Sequence, residues 1–284
     1  MSYRATWHRP DRRLTVGSTI VAYAQILTET RNRVGIIRLN RPEKLNAWTD
    51  QMSREIRDQI TKWNDDLGVG AILFTGEGRA FCAGADVGGF ADRAATNSDG
   101  SGEQLSRGGY NVTELLRVSK PSVAAINGYA MGIGLTMILP VDIRIASTEA
   151  QMSIRFIKMG LMPELGSTRI LSELVGLGHA TDMCLSGRIV GAEEALRMGL
   201  VSGVTEPDEL FDKAMERAEE IANNPTQAVM MVKELLAKNP LDRDLEAVME
   251  REGLRDQIAR RLPDHTEAIT AFLAKREPEF NRGG

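Results

Sequence analysis

The sequence predicts an α/β domain followed by a helical C-terminal region, and three observations carry that expectation. Short apolar runs rich in β-branched residues alternate with segments of helical period as far as about residue 204. Beyond about residue 207 the strand signal disappears, and helical segments are punctuated by Pro225, Pro240 and Pro263. A chain of 284 residues, 42% apolar and 26% charged, suits one large domain, or a domain plus a smaller appendage, with a substantial core. The expected organisation is an arm over 1–18, an α/β core over 19–204 and a helical region over 205–284.

Each element has a local reason. Residues 1–18 carry Arg4, Arg9, Arg12 and Arg13 with no apolar run after them, so they read as a polar arm rather than a secretory leader. Apolar runs around 20–27 and 34–39, broken at Thr30–Arg33, predict a hairpin. Asn40–Lys44 is a turn. Thr49 or Asp50 then caps a helix whose apolar stripe is Met52, Ile56, Ile60 and Trp63. Ala71–Phe74 is a short buried strand running into the glycine-punctuated segment Thr75–Gly89. Small polar residues over 91–109 predict a surface loop before a helix near 104–118, which Lys120-Pro121 ends. Ser122–Ile126 is a second buried strand, Asn127–Gly134 a turn opening a short apolar helix, and 141–146 a further strand. Helices follow over 207–223, 226–238, 241–260 and 264–275, the last with Asp264 and Glu267 spaced as a capping box.

Composition and motifs exclude several chemistries. A net charge of −4 argues against a broad nucleic-acid footprint, and no stretch approaches the roughly 20 apolar residues a membrane span needs. Two cysteines, Cys82 and Cys184, suit free thiols in a reducing cytoplasm better than a disulfide framework. No P-loop, nucleophile elbow or zinc-protease motif occurs, and the turn at Gly132-Ile133-Gly134 lacks the third glycine of a dinucleotide fingerprint. His8, His179 and His265 are far apart, so a metal cluster or a Cys/His pair has little support.

Two segments share a feature that does suggest chemistry. In Phe81–Val87 a buried strand runs into small residues, and in Asn127–Gly134 another strand turns sharply into a helix. Glycines permit close backbone approach, and a helix N-terminus offers unpaired N–H groups. Two such peptides facing each other bind an oxyanion. From residue types alone, tight turns in a packed core remain the alternative.

Asn40–Ala47, Ala80–Val87, Lys120–Ala130, Leu185–Arg188 and the tail Ala271–Pro278 closely resemble, in order and spacing, motifs of the crotonase (enoyl-CoA hydratase/isomerase) superfamily. The resemblance covers roughly residues 20–280. It implies a spiral of ββα units with a helical C-terminal trimerisation region, a homotrimer or hexamer, and an acyl-CoA substrate. No cofactor is implied beyond the coenzyme A of the thioester. It implies an oxyanion hole from the backbone N–H groups of Ala85 and Ile133, the latter at a position usually held by glycine. Coenzyme A would lie along Lys44, Leu45, Ala47, Ala83, Ala85, Asp86 and Val87, with Phe272 and Lys275 contributed from the C-terminal helix of this or a neighbouring subunit. The alternative for both lysines is solvated surface.

The resemblance also bears on the reaction. The hydratase branch uses two glutamates, and the matching positions here are Thr136 and Phe156. Neither is a carboxylate, which counts against hydration. Glu164 matches the single catalytic glutamate of peroxisomal-type enoyl-CoA isomerases, and a lone carboxylate suits a 1,3-proton shift. Capping of the helix that begins near Gly166 is the competing role for Glu164. Asp86 and Asp142 read as structural acids. The expected activity is therefore an enoyl-CoA isomerase, with hydration, another acyl-CoA reaction or non-catalytic acyl-CoA binding as alternatives.

Overall fold

A computed structural model describes residues 23–86, 88 and 108–281, with backbone alone for 108–111. The expected arm over 1–18, Val87 and most of the 91–109 loop lie outside the described residues. Among the described residues ten strands form two sheets. The larger contains β1 (Ile26–Arg31), β2 (Val34–Leu39), β3 (Ala71–Gly76), β5 (Ser122–Ile126), β7 (Ile143–Ser147) and β10 (Gly203–Thr205), in that spatial order. The smaller contains β4 (Ala80–Cys82), β6 (Tyr129–Met131), β8 (Gln151–Ser153) and β9 (Val190–Gly191). From β3 to β8 successive strands fall alternately in the two sheets. That is the spiral of ββα turns which periodicity alone did not reveal.

A hairpin forms, but its first strand is Ile26–Arg31 rather than the expected run around 20–27, and it takes in Thr30 and Arg31 of the expected break; β1 pairs antiparallel with β2 across Asn32 and Arg33, both at positive φ (49° and 65°). The remaining pairs of the large sheet are parallel. Parallel strands covered on both faces read as continuous apolar runs, and alternate side chains show the two covers. Val34, Ile36, Ala71, Leu73, Val123 and Ala125 face α6 (Leu210–Ala222) through its Leu210, Ala214 and Ala218. Ile37, Leu39, Ile72, Phe74, Ala124 and Ile126 face the opposite cluster. There α1 (Asp50–Asp65) supplies Met52, Ile56, Ile60 and Trp63, and α2 (Gly108–Val118) supplies Val112 and Leu116. Thr49 caps α1 as expected, its hydroxyl accepting from the Met52 amide at 3.1 Å.

The short helix α3 (Ile133–Thr136) follows β6, and α4 (Ser167–Ser186) and α5 (Ala192–Arg197) complete the core region. The C-terminal helices are α6, α7 (Thr226–Lys238), α8 (Leu245–Ala259) and α9 (Pro263–Ala274), close to the expected spans. One detail is corrected. Asp264 and Glu267 do not form a capping box, because the cap falls at Leu262 with Pro263 in the first turn. Asp264 accepts instead from the Asn281 amide (2.8 Å), and Glu267 holds Arg276 in a two-point ion pair. These bonds fold the tail back along α9, and Asn281 bonds in turn to the amide of Thr226 and the carbonyl of Asn224. Among the described residues no helix is long and apolar enough to cross a membrane.

Candidate active site

The site grows from a strand pair in the smaller sheet. β4 and β6 run parallel, so their C-terminal ends emerge side by side, the usual position for a ligand crevice in a parallel sheet. From β4 the chain continues into Ala83–Asp86, and from β6 into Gly132 and α3. Gly134 seats α3 against β4: a Cβ there would lie 2.2 Å from the Cys82 carbonyl oxygen, so only glycine fits. Gly132 makes the turn at φ 54° and ψ −121°. Because the unusual torsion falls at Gly132, the β-branched Ile133 can occupy an ordinary first helical position.

Two backbone amides are left over at this junction. Trp48 donates to the Gly84 carbonyl (2.8 Å) and accepts from the Asp86 amide (3.0 Å), which turns the Ala85 N–H away from Trp48. At Ile133 the N–H is the first of a helix and has no intrahelical acceptor. Among the described residues neither amide meets an acceptor. Unpaired donors on adjoining segments, one at a helix N-terminus, are the arrangement that stabilises an oxyanion.

The flank of the site is held by Asn46, which sequence reasoning did not single out. Fully buried and at φ 55°, it accepts from the Arg41 amide (2.8 Å) and donates to the carbonyls of Glu77 (2.9 Å) and Ala80 (2.8 Å). Leu45 precedes it at φ 51°, and its carbonyl accepts from the Ala83 amide at 3.0 Å. Thus Lys44–Ala47 lie alongside Ala83–Asp86, which brings together Lys44, Leu45, Ala47, Ala83, Ala85 and Asp86 of the residues expected to line a coenzyme A track. Lys44 is exposed. Asp86 is an ion-pair partner of Arg41 at 2.8 Å, and that hydrogen bond holds its carboxyl below the ordinary range. Burial pushes the Cys82 thiol up to about 12, which removes it as a nucleophile.

Glu164 carries the candidate acid–base chemistry. It is half-buried, and desolvation raises its carboxyl above the ordinary glutamate value. Its side chain has no hydrogen-bond or ion-pair partner among the described residues. The cap of α4 is Gly166, with no side chain capping the helix, and Ser167 donates its amide to the Glu164 carbonyl rather than to the carboxylate. The capping role is therefore not realised. Adjacent Leu165 belongs to the same apolar cluster as Ile133. Phe156, in the helical turn Arg155–Met159, packs on that cluster, and its ring carbons lie 4.0 Å from where a Gly132 Cβ would stand. Thr136 is fully buried.

Other expected residues fall elsewhere. Phe272 is 81% exposed, Lys275 ends α9 at φ 53°, and no hydrogen bond or ion pair joins either to Lys44–Ala47 or Ala83–Asp86. Asp142 accepts from the Ser122 amide and hydroxyl and from the Lys233 ammonium (2.7 Å), a structural role. Among the described residues no cluster of His, Cys, Asp and Glu could hold a metal ion.

The profile of the enoyl-CoA hydratase/isomerase family matches residues 29–283. The chain belongs to the enoyl-CoA hydratase/isomerase family. Among its relatives, a Rhizobium meliloti protein named "Probable enoyl-CoA hydratase" is 36% identical over 272 residues, covering 92% of this chain and 99% of its own. The Escherichia coli 1,2-epoxyphenylacetyl-CoA isomerase is 35% identical over 265 residues, covering 90% of this chain and 97% of its own. The crystal structure of an enoyl-CoA hydratase from Bacillus anthracis superposes with a TM-score of 0.83 at 30% identity, covering 92% of this chain and all of that one. Membership accounts for the alternating strands, since the solved relatives share this fold. It does not choose the reaction, because relatives bear both hydratase and isomerase names.

Proposed function

We propose that this family member is an enoyl-CoA isomerase using Glu164 as its single proton shuttle. The observation that carries the reading is the desolvated, unpartnered carboxyl of Glu164 in a chain whose two hydratase glutamate positions hold Thr136 and Phe156. The thioester carbonyl oxygen accepts hydrogen bonds from the amides of Ala85 and Ile133. Ionised Glu164 takes a proton from Cα of a 3-enoyl thioester, and the electron pair moves into the C1–Cα bond as the carbonyl oxygen becomes an enolate. Collapse of the enolate returns the carbonyl, forms the Cα–Cβ double bond and shifts the former C3–C4 π pair to Cγ, which takes the proton back from Glu164. One oxyanion donor is worth about 3 kcal/mol at such a transition state, and the proton shuttle about 10²–10⁴-fold. Coenzyme A would run along Lys44–Ala47 and Ala83–Asp86, with Phe272 and Lys275 supplied by a neighbouring subunit of a homotrimer or hexamer. A cytoplasmic location fits the two free thiols.

The hydratase names of several relatives favour a second reading, hydration of 2-enoyl-CoA. Assays of the purified protein with 3-enoyl-CoA and 2-enoyl-CoA separate the two. Isomerisation falling at least about 10²-fold in Glu164→Gln is the expected result. Full activity in that variant, or robust hydration of crotonyl-CoA, overturns the isomerase reading. Binding of coenzyme A thioesters without turnover leaves a non-catalytic binding protein.

A further inference from the structure

Arg41 stands on the flank of the site, and its two terminal nitrogens reach two different segments of it. Its main chain is fixed first: its amide donates to the Asn46 side chain, and its carbonyl accepts from the Lys44 and Asn46 amides, both at 2.9 Å. From that base the guanidinium donates to the Ala47 carbonyl through Nη1 (2.6 Å) and to the Asp86 carboxylate through Nη2 (2.8 Å). Asp86 is held in turn at its other oxygen, which accepts from the Gly88 amide at 3.1 Å. The Arg41 side chain is only 16% exposed, and with both terminal nitrogens engaged it is poorly placed to serve a ligand phosphate.

The Ala47 contact leads into the site. A peptide bond is planar and trans, so the carbonyl of one residue and the N–H of the next point in opposite directions from one rigid unit. The Ala47 carbonyl and the Trp48 N–H form one such unit, and that N–H donates to the Gly84 carbonyl at 2.8 Å. The Gly84 carbonyl and the Ala85 N–H form the next unit, whose N–H faces away from Trp48. Guanidinium, Trp48 N–H and Ala85 N–H are thus successive donors along one chain of hydrogen bonds. Such bonds polarise one another, and a cationic first donor is stronger than a neutral one. Gly84 turns at φ 111°, a torsion that glycine allows, so the second unit depends on its hydrogen bonds for its direction. The Asp86 amide donates to the Trp48 carbonyl at 3.0 Å, so both sides of the Trp48–Ala85 pairing are tied to one guanidinium. We propose that Arg41 is a positioning residue that aims and polarises the Ala85 N–H through these two peptide units, with Asp86 holding the guanidinium in place. The inference rests on the reading of the Ala85 and Ile133 amides as an oxyanion hole.

Butyryl-CoA isotopically labelled at its thioester carbonyl tests this without requiring turnover, because hydrogen bonds to the carbonyl oxygen lower its infrared stretching frequency when it binds the full chain. Arg41→Met is expected to lose about half or more of that shift, while the dissociation constant rises less than about tenfold. Asp86→Ala is expected to lose less, and the double variant no more than Arg41→Met alone, since both act through one guanidinium. Arg41→Lys keeps the charge without the planar fork, so its shift is expected between those of the parent and Arg41→Met. It also carries the test should Arg41→Met not fold. A parent-like shift in Arg41→Met or in Arg41→Lys overturns the relay and spares the oxyanion reading, as does a double variant that loses the sum of the two singles. A fall in affinity beyond about tenfold in step with the shift marks collapse of the site, and it too overturns the relay. If bound butyryl-CoA shows no shift in the parent, the oxyanion reading itself fails and the relay with it.

Discussion

Asn46 shows how one side chain can hold a site without touching substrate. Its amide group fastens Arg41, Glu77 and Ala80 together, and its positive φ is one that asparagine tolerates better than most residues. Asn46→Ala removes three hydrogen bonds and places alanine at φ 55°, so a loss of about 3 kcal/mol in chemical unfolding is expected. Asn46→Gly, which relieves the torsion alone, is expected to recover only about 1 kcal/mol of it. Glu164 makes a different kind of claim. Because burial raises its folded-state pKa, the acid limb of kcat/KM is expected above the ordinary glutamate range and absent in Glu164→Gln. The stability sign follows from the same shift. The folded state keeps its proton where the unfolded chain has lost it, so this group's contribution is full below the unfolded pKa and declines as pH rises through the folded one. Glu164→Gln should therefore melt higher than the parent at neutral pH, with the gap closing in acid. Melting curves at pH 4 and pH 7.5 check it, and a variant that melts lower at neutral pH refutes the desolvation argument.

At the scale of elements, Gly134 and Lys233 join parts that sequence periodicity treats as separate. Gly134 lets α3 close on β4, and any side chain there meets the Cys82 carbonyl. Gly134→Ala is thus expected to displace the Ile133 donor and reduce kcat by at least about 10²-fold, with the loss carried by kcat more than by KM. Lys233 docks α7: its buried ammonium donates to the Leu116 carbonyl (2.7 Å) and to Asp142 (2.7 Å). Lys233→Met keeps the stem and deletes the charge, and a loss of about 3 kcal/mol in denaturant midpoint experiments is expected. The elements themselves were largely legible in the sequence. Continuous apolar runs announced β3 and β5, and Thr49 with its 3.6-residue stripe announced α1. The very short strands β6, β8 and β9 were not, since two or three residues carry no period. The capping box at Asp264 misled because Pro263 already occupied the first turn, leaving both acids to bind the returning tail. The candidate oxyanion segments are visible in the sequence as small residues after strands, but the unpaired amides of Ala85 and Ile133 depend on which neighbours take the other hydrogen bonds. That is a property of the folded chain.

For the whole molecule, the C-terminal helices leave more apolar surface uncovered than a solitary chain normally tolerates. Leu236, Leu245, Phe272 and Leu273 are each more than two-thirds exposed. A trimer or hexamer in sedimentation experiments is the expected state, and Leu236→Glu with Leu245→Glu should shift it toward monomer. The more informative measurement concerns whose site the tail serves. Phe272 and Lys275 make no polar contact with their own chain's Lys44–Ala47 or Ala83–Asp86 segments, so a neighbour's site is their expected destination. If so, a Glu164→Gln chain still lends an intact tail, while a Phe272→Ala, Lys275→Ala chain still owns an intact acid–base group. Each pure variant is expected to be impaired. After the two are unfolded together and refolded as mixed oligomers, the tail-deficient chains that sit beside a Glu164→Gln neighbour regain a complete site. Activity per Glu164-bearing chain should then rise above that of the pure tail variant, in proportion to the fraction of such pairings. A tail that served its own chain would leave every site in the mixture lacking one component, and mixing would restore nothing.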